Sequence, residues 1–194
     1  MLMHLPRILT LCSILFLAGC SVSTQVTNTQ RSTIEQRLLV RSLERSLAAL
    51  DTQRFKGKTV AVEFYGLTSD KDFAKEFVTA WLQGQQVRIA TDPQKTQLRL
   101  KIFASALGVD QGQEFLGIPS LTAPLVGVGV PELALFKSVT RSGHAAIQIY
   151  TLDGGTGEFI DKSPAVIGKA DFDDYTNLIF VHFTRSDLDK PDGG

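Results

Sequence analysis

The sequence predicts an α+β domain: a mixed β-sheet of about five to six strands with two helices packed on one face, preceded by a signal peptide and a flexible tether. Two segments with helical spacing of apolar residues lie in the first half of the chain, and segments in which apolar and polar residues alternate fill most of the second half. That order is typical of α+β domains. Apolar residues make up 43% of the chain, which is enough to form a core.

The first helix is predicted from about Thr33 to Leu50. Ser32 and, three residues later, Glu35 form the pattern of a capping box, in which side chains bond free backbone N–H groups of the first turn. Apolar residues then recur at spacings of three and four, which gives the helix one apolar face. They are Ile34, Leu38, Leu39, Leu43, Leu47 and Leu50. We expect the basic opposite side to be solvated, with contact to anionic lipid or a partner as the alternative.

A strand over Thr59–Tyr65 and a second helix over about Lys71–Gln83 follow. The strand alternates and is rich in β-branched and aromatic residues. The helix is predicted to be capped by Ser69 or Asp70 and to end at Gly84. The residues expected to share its apolar face are Phe73, Phe77, Ala80 and Trp81.

Five further strands are predicted along the rest of the chain. They cover Val87–Ala90, Gln97–Leu107, Leu133–Val139, His144–Leu152 and Glu158–Lys162. Glycine-bearing joints at about Thr140–Gly143 and at Asp153–Gly157 predict two hairpins. Leu178–Thr184 fits either a last strand or a short helix, and Ser186–Gly194 is predicted to be a disordered polar tail. We therefore expect one domain over residues 32–185.

The N-terminal segment is predicted to be a signal peptide that ends in a lipidation site. Its apolar run from Ile8 to Ala18 is too short to span a bilayer as a permanent helix. The following residues complete Leu17-Ala18-Gly19-Cys20, which resembles the lipobox of bacterial lipoproteins. The resemblance implies cleavage between Gly19 and Cys20 and attachment of lipid to the Cys20 thiol. The alternatives are an ordinary secretory signal with a chance cysteine and an uncleaved membrane anchor.

The predicted mature chain begins with a polar tether over residues 20–31. The other cysteine, Cys12, lies in the segment to be removed, so the mature chain would have neither a free thiol nor a disulfide. Ser21 rather than Asp follows Cys20, and the sorting rule that accompanies the lipobox resemblance implies the periplasmic face of the outer membrane. Basic and acidic residues balance at 20 each, so no excess of positive charge would recruit nucleic acid.

The stretch Leu116–Val130 (LGIPSLTAPLVGVGV) is uncharged and carries three glycines and two prolines. Its composition predicts neither a helix nor a regular central strand. Long loops of this kind are uncommon in compact domains and are often functional. We therefore expect either an exposed loop that contacts a membrane, partner or neighbouring subunit, or a buried crossover. The candidate contact residues are Ile118, Leu121, Leu125 and Val128.

No combination of residues predicts a catalytic, metal or cofactor site. His144 and His182, the histidines of the mature chain, lie in strand-like runs without a second ligand at metal-binding spacing. No nucleophile signature or phosphate-binding loop is present. Two acidic groups in polar, turn-like sequence are expected to be solvated loop carboxylates. They are Asp171, Asp173 and Asp174, and Asp153, Glu158 and Asp161.

Two stretches carry a family resemblance. They are Thr27–Leu39 (TNTQRSTIEQRLL) and Phe115–Lys137 (FLGIPSLTAPLVGVGVPELALFK). Both look like an uncharacterised family of bacterial lipoproteins, a domain of unknown function, and the resemblance extends over about Thr27–Asp187. It implies a lipoprotein and brings no known activity.

The residues Asp153, Thr156, Gly157 and Glu158 carry a second resemblance. They match a D-x-x-T-G-E turn between two strands of curli-export lipoproteins and of lipoproteins that activate penicillin-binding proteins, and the order of elements before the turn is also similar. In those families the turn is structural, since its glycine supplies a positive φ angle. This chain shows no obvious pair of long amphipathic hairpins for a pore.

Three functions remain open. The first is a non-enzymatic interaction or assembly module, bound to a membrane through its N-terminal lipid, with a protein partner or self-association. The second is a ring-forming subunit of an export channel, with residues 116–130 as the inserting or subunit-bridging element. The third is an enzyme or small-ligand binder whose pocket the sequence does not reveal.

Overall fold

The computed structural model describes residues 31–92, 95–123 and 128–189. The predicted signal peptide, Cys20, the tether up to residue 30, Leu125 and residues 190–194 lie outside the described residues. The chain divides into two compact units, where the sequence predicted one domain. The helical unit has its described residues in 31–110, 141–172 and 186–189, and the all-strand unit has them in 111–140 and 173–185.

The predicted α+β class is confirmed, with two helices and a mixed sheet. The helices are α1 (Thr33–Ala48) and α2 (Lys71–Gly84), with a 3₁₀ turn at Gln53–Phe55. The strands are β1 (Thr59–Gly66), β2 (Arg88–Ile89), β3 (Leu98–Ile118), β4 (Leu121–Ala123), β5 (Val128–Val130), β6 (Leu133–Asp153), β7 (Phe159–Lys162), β8 (Val166–Asn177) and β9 (Val181–Ser186). The main sheet has seven strands in the order β2-β1-β3-β6-β8-β9, with β7 beside β6, while β4 and β5 pair separately. β1 pairs in parallel with β2 and β3, whereas β6 and β7 are antiparallel.

The start of α1 follows from the capping box that the sequence predicts. The Ser32 side chain accepts a hydrogen bond from the Glu35 backbone N–H at 3.3 Å, and the Glu35 carboxylate accepts one from the Ser32 N–H at 2.6 Å. The apolar face of the helix then packs into the core of the helical unit. The largest fully buried side chains of that core include Leu43, Leu47, Phe55, Val78, Leu82, Leu100, Ile102, Ile147 and Ile149.

The buried face of α2 differs from the prediction by one position. Its buried residues are Ala74, Val78 and Leu82. Phe73 is half exposed and Ala80 is exposed, while Phe77 and Trp81 are only partly buried against the core. The small side chain of Ala74 and the β-branched one of Val78 let α2 lie close to the core. The rings of Phe77 and Trp81 then pack at the sides of the helix. The described residues also contain no helix that is long and apolar enough to cross a membrane.

The end of α2 agrees with the prediction to within one residue. The helix includes Gly84, and the residue with a positive φ angle beyond it is Gln86, at 65°. The Val87 N–H donates to the Leu82 carbonyl at 3.1 Å, which satisfies a carbonyl of the last helical turn. Asp70 occupies the N-cap position, but its side chain makes no capping hydrogen bond.

β6 is one continuous strand, so the hairpin predicted at residues 140–143 is wrong. Gly143 is buried, and a Cβ built on it would lie 2.4 Å from the backbone carbonyl oxygen of Leu38 in α1. A Cβ on Gly168 in β8 would lie 1.9 Å from the carbonyl oxygen of Ser42 in the same helix. Both glycines therefore allow α1 to approach the sheet closely, and neither forms a turn.

In the all-strand unit, the described residues of the stretch 116–130, which are 116–123 and 128–130, lie largely in strands, where the composition predicts an irregular loop. β3 continues to Ile118, and β4 and β5 pair antiparallel with Leu121 opposite Val130. Pro119 lies between β3 and β4, where the missing backbone N–H is not needed. Pro119 therefore separates two strands and does not prevent either from forming.

The end of the chain also differs from its prediction. Residues 178–180 form a turn, and β9 follows, so the strand alternative is the one observed. Residues 187–189 pack against α1 where a disordered tail was predicted. Leu188 is buried with Leu38 and Ala170, and the Arg45 guanidinium lies 2.7 Å from the Asp187 carboxylate.

Candidate functional site: the open face of the helical unit

Both helices of the helical unit contribute to a core on one face of its sheet, and the opposite face is open. The β3 residues buried in this core are Leu98, Leu100 and Ile102. The residues that alternate with them, Arg99, Lys101 and Phe103, therefore point away from the core. Glu63 and Tyr65 of β1 lie on the same open face, because Glu63 pairs with Lys101 and Tyr65 with Phe103.

Four rings form a continuous line across this face, which we call the aromatic row. They are Tyr65 of β1, Phe103 of β3, Tyr150 of β6 and Phe159 of β7. The centroids of Tyr65 and Phe103 stack at 5.0 Å, Phe103 meets Tyr150 edge-on at 5.3 Å, and Tyr150 meets Phe159 at 6.4 Å. Tyr65, Phe103 and Phe159 are 44%, 40% and 60% exposed. The rings thus support one another while they present apolar surface to solvent.

A groove of about 520 Å³ lies along part of the aromatic row. Its lining residues are Lys101, Phe103, Gln148, Tyr150, Leu152 and Phe159. The Gln148 side-chain amide donates to the Ser163 carbonyl at 2.9 Å, which fixes the orientation of that amide. The groove therefore combines rings, one aliphatic side chain, a fixed amide and one cationic side chain.

Charged groups frame the β1 end of the row. The Tyr65 hydroxyl donates to Glu63 Oε2 at 2.6 Å, and this hydrogen bond raises the pKa of Tyr65 above its usual range. Arg99 Nε lies 3.7 Å from Glu63 Oε1. The polar contacts at this end hold the Tyr65 ring in place through its hydroxyl and balance one carboxylate with one guanidinium.

The arrangement suits binding to another macromolecule. Tyrosine and phenylalanine offer large rigid contact areas at little entropic cost and are enriched at protein interfaces. Neighbouring strands lie about 4.8 Å apart, so a row over four strands spans about 15 Å. That length matches about four or five residues of an extended chain.

The predicted contact residues of the all-strand unit have separate locations. Ile118 ends β3 and is 51% exposed, as is the nearby Leu116. Leu121 and Val128 lie in the paired strands β4 and β5. Leu125 lies outside the described residues. For Ile118, the structure therefore favours the exposed alternative over a buried crossover.

The turn at residues 153–158, which matches the D-x-x-T-G-E pattern, connects β6 and β7. Asp153 Oδ1 accepts hydrogen bonds from the Gly155 N–H at 2.9 Å and the Thr156 N–H at 2.8 Å. The hydrogen bond from Thr156 and, to a smaller extent, that from Gly155 lower the pKa of Asp153 below its usual range. Gly157 has a φ angle of +76°, and the Glu158 N–H donates to the Thr156 hydroxyl at 3.2 Å. All four residues of the motif therefore act in closing the turn.

The two acidic groups that the sequence predicts to be solvated loop carboxylates lie partly on strands. The first group, Asp171, Asp173 and Asp174, lies on β8 and not in a turn. Successive side chains of a strand point to opposite faces, so a polar run can form a strand. Asp171 accepts a hydrogen bond from the Ser142 hydroxyl at 2.6 Å, and Asp161, on β7, pairs with Arg54. Among the described residues, no three or more His, Cys, Asp or Glu side chains are placed to hold a metal ion.

The two histidines have different surroundings. His144 Nε2 lies 3.8 Å from the Asp110 carboxylate in the helical unit. His182 Nδ1 lies 2.9 Å from the Thr176 hydroxyl in the all-strand unit.

The aromatic row was not foreseen from the sequence. Alternation correctly placed Phe103 on the wet face of β3, but the four rings are separated by 38, 47 and 9 positions along the chain. Only the strand order brings them together, so no local pattern could have revealed the row.

Comparison with solved structures finds remote similarities, among them the following two. The C-terminal domain of LpoB from Salmonella enterica matches with a TM-score of 0.32 and 13% identity over 66% of this chain and 94% of that domain. The lipoprotein GNA1162 from Neisseria meningitidis matches with a TM-score of 0.31 and 8% identity over 59% of this chain and 82% of that one. No protein-family model and no curated protein matches the sequence. These values assign neither a family nor an activity to this chain.

Proposed function

We propose that this chain is a cell-envelope lipoprotein, held at the periplasmic face of the outer membrane by lipid on Cys20, and that it binds another protein without catalysing a reaction. The observation that carries the binding role is the aromatic row, with three of its four rings at least 40% exposed. The lipobox-like Leu17-Ala18-Gly19-Cys20 supports the anchor. Export by this route would place the aromatic row outside the cytoplasm, in reach of envelope proteins.

The physical case for a protein partner rests on exposed apolar area. Contiguous exposed rings are uncommon on monomeric proteins and mark interaction sites when polar groups surround them. Here Lys101, Gln148 and the Glu63–Arg99 pair lie beside the rings. Interfaces with a central aromatic cluster and a polar rim concentrate their binding energy in the rings. We therefore expect the partner to place an extended apolar segment along the aromatic row.

The anchor is tested by Cys20→Ala, with Cys12→Ala as the matched control. Without the thiol no lipid can be attached, so we expect Cys20→Ala to abolish acylation, measured by incorporation of a clickable fatty acid, and to move mature protein into the soluble fraction. Cys12→Ala should keep both acylation and membrane association. Unchanged acylation of the Cys20→Ala variant would contradict the anchor.

The binding face is tested by photo-crosslinking in cells. Phe103 and, as a control, Phe73 are replaced one at a time by benzoylphenylalanine; the two positions have similar exposure, 40% and 50%, but Phe73 lies on α2. We expect a discrete protein adduct at position 103 that is absent at position 73. The proposal fails if position 103 gives no adduct or if both positions give the same adducts.

A second candidate is the ring-forming subunit of an export channel. It is favoured by the all-strand unit, in which β8 and β9 form a hairpin that the sequence did not predict. The β3 and β6 segments of this unit also carry exposed apolar side chains. The test is the mass of the full-length lipidated protein in mild detergent, measured by light scattering with the detergent contribution subtracted. A closed oligomer of many subunits would support this candidate, and a monomer would contradict it.

A further inference from the structure

The turn between β8 and β9 in the all-strand unit has an unusual composition. Its residues, Leu178, Ile179 and Phe180, are 62%, 47% and 78% exposed. Leu178 and Ile179 also have positive φ angles of 50° and 73°. Three consecutive large apolar side chains thus occupy the tip of a hairpin, where polar and glycine residues are usual. We call residues 178–180 the apolar tip.

The backbone of the apolar tip favours other residues. Positive φ angles are usual for Gly, Asn and Asp, and across Ile179 the Phe180 N–H donates to the Leu178 carbonyl at 2.9 Å, the i to i+2 bond of a γ-turn. A β-branched residue such as Ile179 rarely adopts this conformation, because its Cβ crowds the following carbonyl. Strain of this kind is maintained where it serves a function. Within the described residues, burial does not explain the apolar choice, since half or more of Leu178 and Phe180 is exposed.

The apolar tip is nevertheless held firmly. The Leu178 N–H donates to the Leu135 carbonyl at 2.9 Å, and the Ile179 N–H donates to the Ala134 carbonyl at 2.9 Å. Further along β9, the stacked rings of Tyr175 and Phe183, with centroids 4.8 Å apart, tie the two strands together. The exposure of the side chains is therefore a property of an ordered turn.

The surroundings of the apolar tip are apolar and nearly free of charge. Leu133, Leu135 and Val181 are 37%, 54% and 45% exposed. In residues 133–136 and 177–183 the only ionisable side chain is that of His182. Glu132 and Lys137, which bracket the first segment, bind each other at 2.8 Å. These two segments therefore offer little charge to a charged partner, and their exposed apolar side chains match the interfacial region of a lipid bilayer.

We propose that the apolar tip inserts into the lipid bilayer to which the chain is anchored, an inference that rests on the proposed lipid anchor. The eleven steps from Cys20 to Arg31 span at most about 40 Å, so an anchored chain stays beside the bilayer. At such short range the effective concentration of lipid is high, and burial of a few side chains is enough for lasting contact. The hairpin would thereby orient the all-strand unit at the membrane.

The test places one fluorophore at the apolar tip of the lipidated full-length protein. Phe180→Cys supplies a single thiol for the environment-sensitive dye NBD, because an acylated Cys20 does not react and Cys12 is removed with the signal peptide. The matched control is Leu67→Cys, a fully exposed site in the helical unit. Both proteins are reconstituted in vesicles of phosphatidylethanolamine and phosphatidylglycerol that carry nitroxide-labelled acyl chains.

We expect the dye at position 180, but not at position 67, to shift its emission to shorter wavelength and to be quenched by the nitroxide lipids. A water-like, unquenched dye at position 180 in vesicles that retain the protein would overturn the apolar-tip proposal and leave the anchor standing. Labelling of a second thiol would instead show that Cys20 is not acylated. Cys20→Ala is then combined with Phe180→Cys, so that the dye at position 180 alone reports tip insertion when vesicles are added. A shift that grows with protein concentration in the absence of lipid would identify a second copy as the occupant and overturn the proposal.

Discussion

The double variant Leu178→Asn and Ile179→Gly tests whether the apolar side chains of the tip are needed for the stability of the β8–β9 hairpin or only for contact with the bilayer. Asparagine and glycine adopt positive φ angles at the lowest cost, so the variant keeps the turn and removes two of its apolar side chains. We expect the double variant to stay folded, with a free energy of unfolding within about 1–2 kcal/mol of the wild type, and to lose bilayer contact.

The magnitude follows from two opposing terms. Leu178 is 62% and Ile179 is 47% exposed, so about half of each side chain is covered. Losing that cover amounts to about one buried aliphatic side chain, or about 1.5–3 kcal/mol. Relief of the two positive φ angles returns about 1–2 kcal/mol each. The terms nearly cancel, whereas two core residues of this size would together lose more than about 4 kcal/mol.

The assay is urea denaturation followed by circular dichroism, with amide hydrogen exchange at His182 and Thr184 to report on the hairpin itself. Gly157→Ala is the matched control, because Gly157 has a φ of +76° and a Cβ there would meet no atom within 4 Å. We expect that control to lose about 1–2 kcal/mol from backbone strain alone. A loss above about 3 kcal/mol in the double variant would refute the reasoning, since it would show that the apolar tip is part of the core.

Three further substitutions test the fold. Gly168→Ala should lower the free energy of unfolding by about 3 kcal/mol or more in thermal melts, because its Cβ would lie 1.9 Å from the Ser42 carbonyl oxygen; Gly108→Ala, with open space around it, should change it by less than about 0.5 kcal/mol, and equal losses would contradict the packing account. Asp153→Asn should destabilise the protein at pH 7. The lowered pKa of Asp153 makes its carboxylate stabilising above the ordinary value of 3.8, so the difference from wild type should shrink as melts are repeated at lower pH, and a pH-independent difference would count against it. Leu188→Ser should lose about 2 kcal/mol in urea denaturation because Leu188 is buried, and an unchanged midpoint would show that residues 187–189 do not belong to the fold.

The elements that sequence predicted well are those set by local physics. The capping box of Ser32 and Glu35, the alternation through β1 and the first part of β3, and the turn after Asp153 each depend on neighbours a few residues apart. Hydrogen bonds and side-chain periodicity at that range are written directly in the residue order.

The errors share a different origin. A glycine predicts a turn when only its backbone freedom is considered, but Gly143 is needed because the carbonyl of Leu38 approaches β6. The same holds for the α2 face, where Ala74 and Val78 displaced the larger Phe73 from the core because of the space between helix and sheet.

The candidate site divides along the same line. By itself, the sequence determined the α+β class, the lipobox-like prediction at Cys20 and the wet face of β3, since each follows from composition or short-range order. Only the tertiary structure decided that Tyr65, Phe103, Tyr150 and Phe159 form one row, because strand order sets which distant residues become neighbours. It also decided that residues 178–180 form a strained exposed tip, because pairing with β6 fixes the backbone of the turn whatever its side chains prefer.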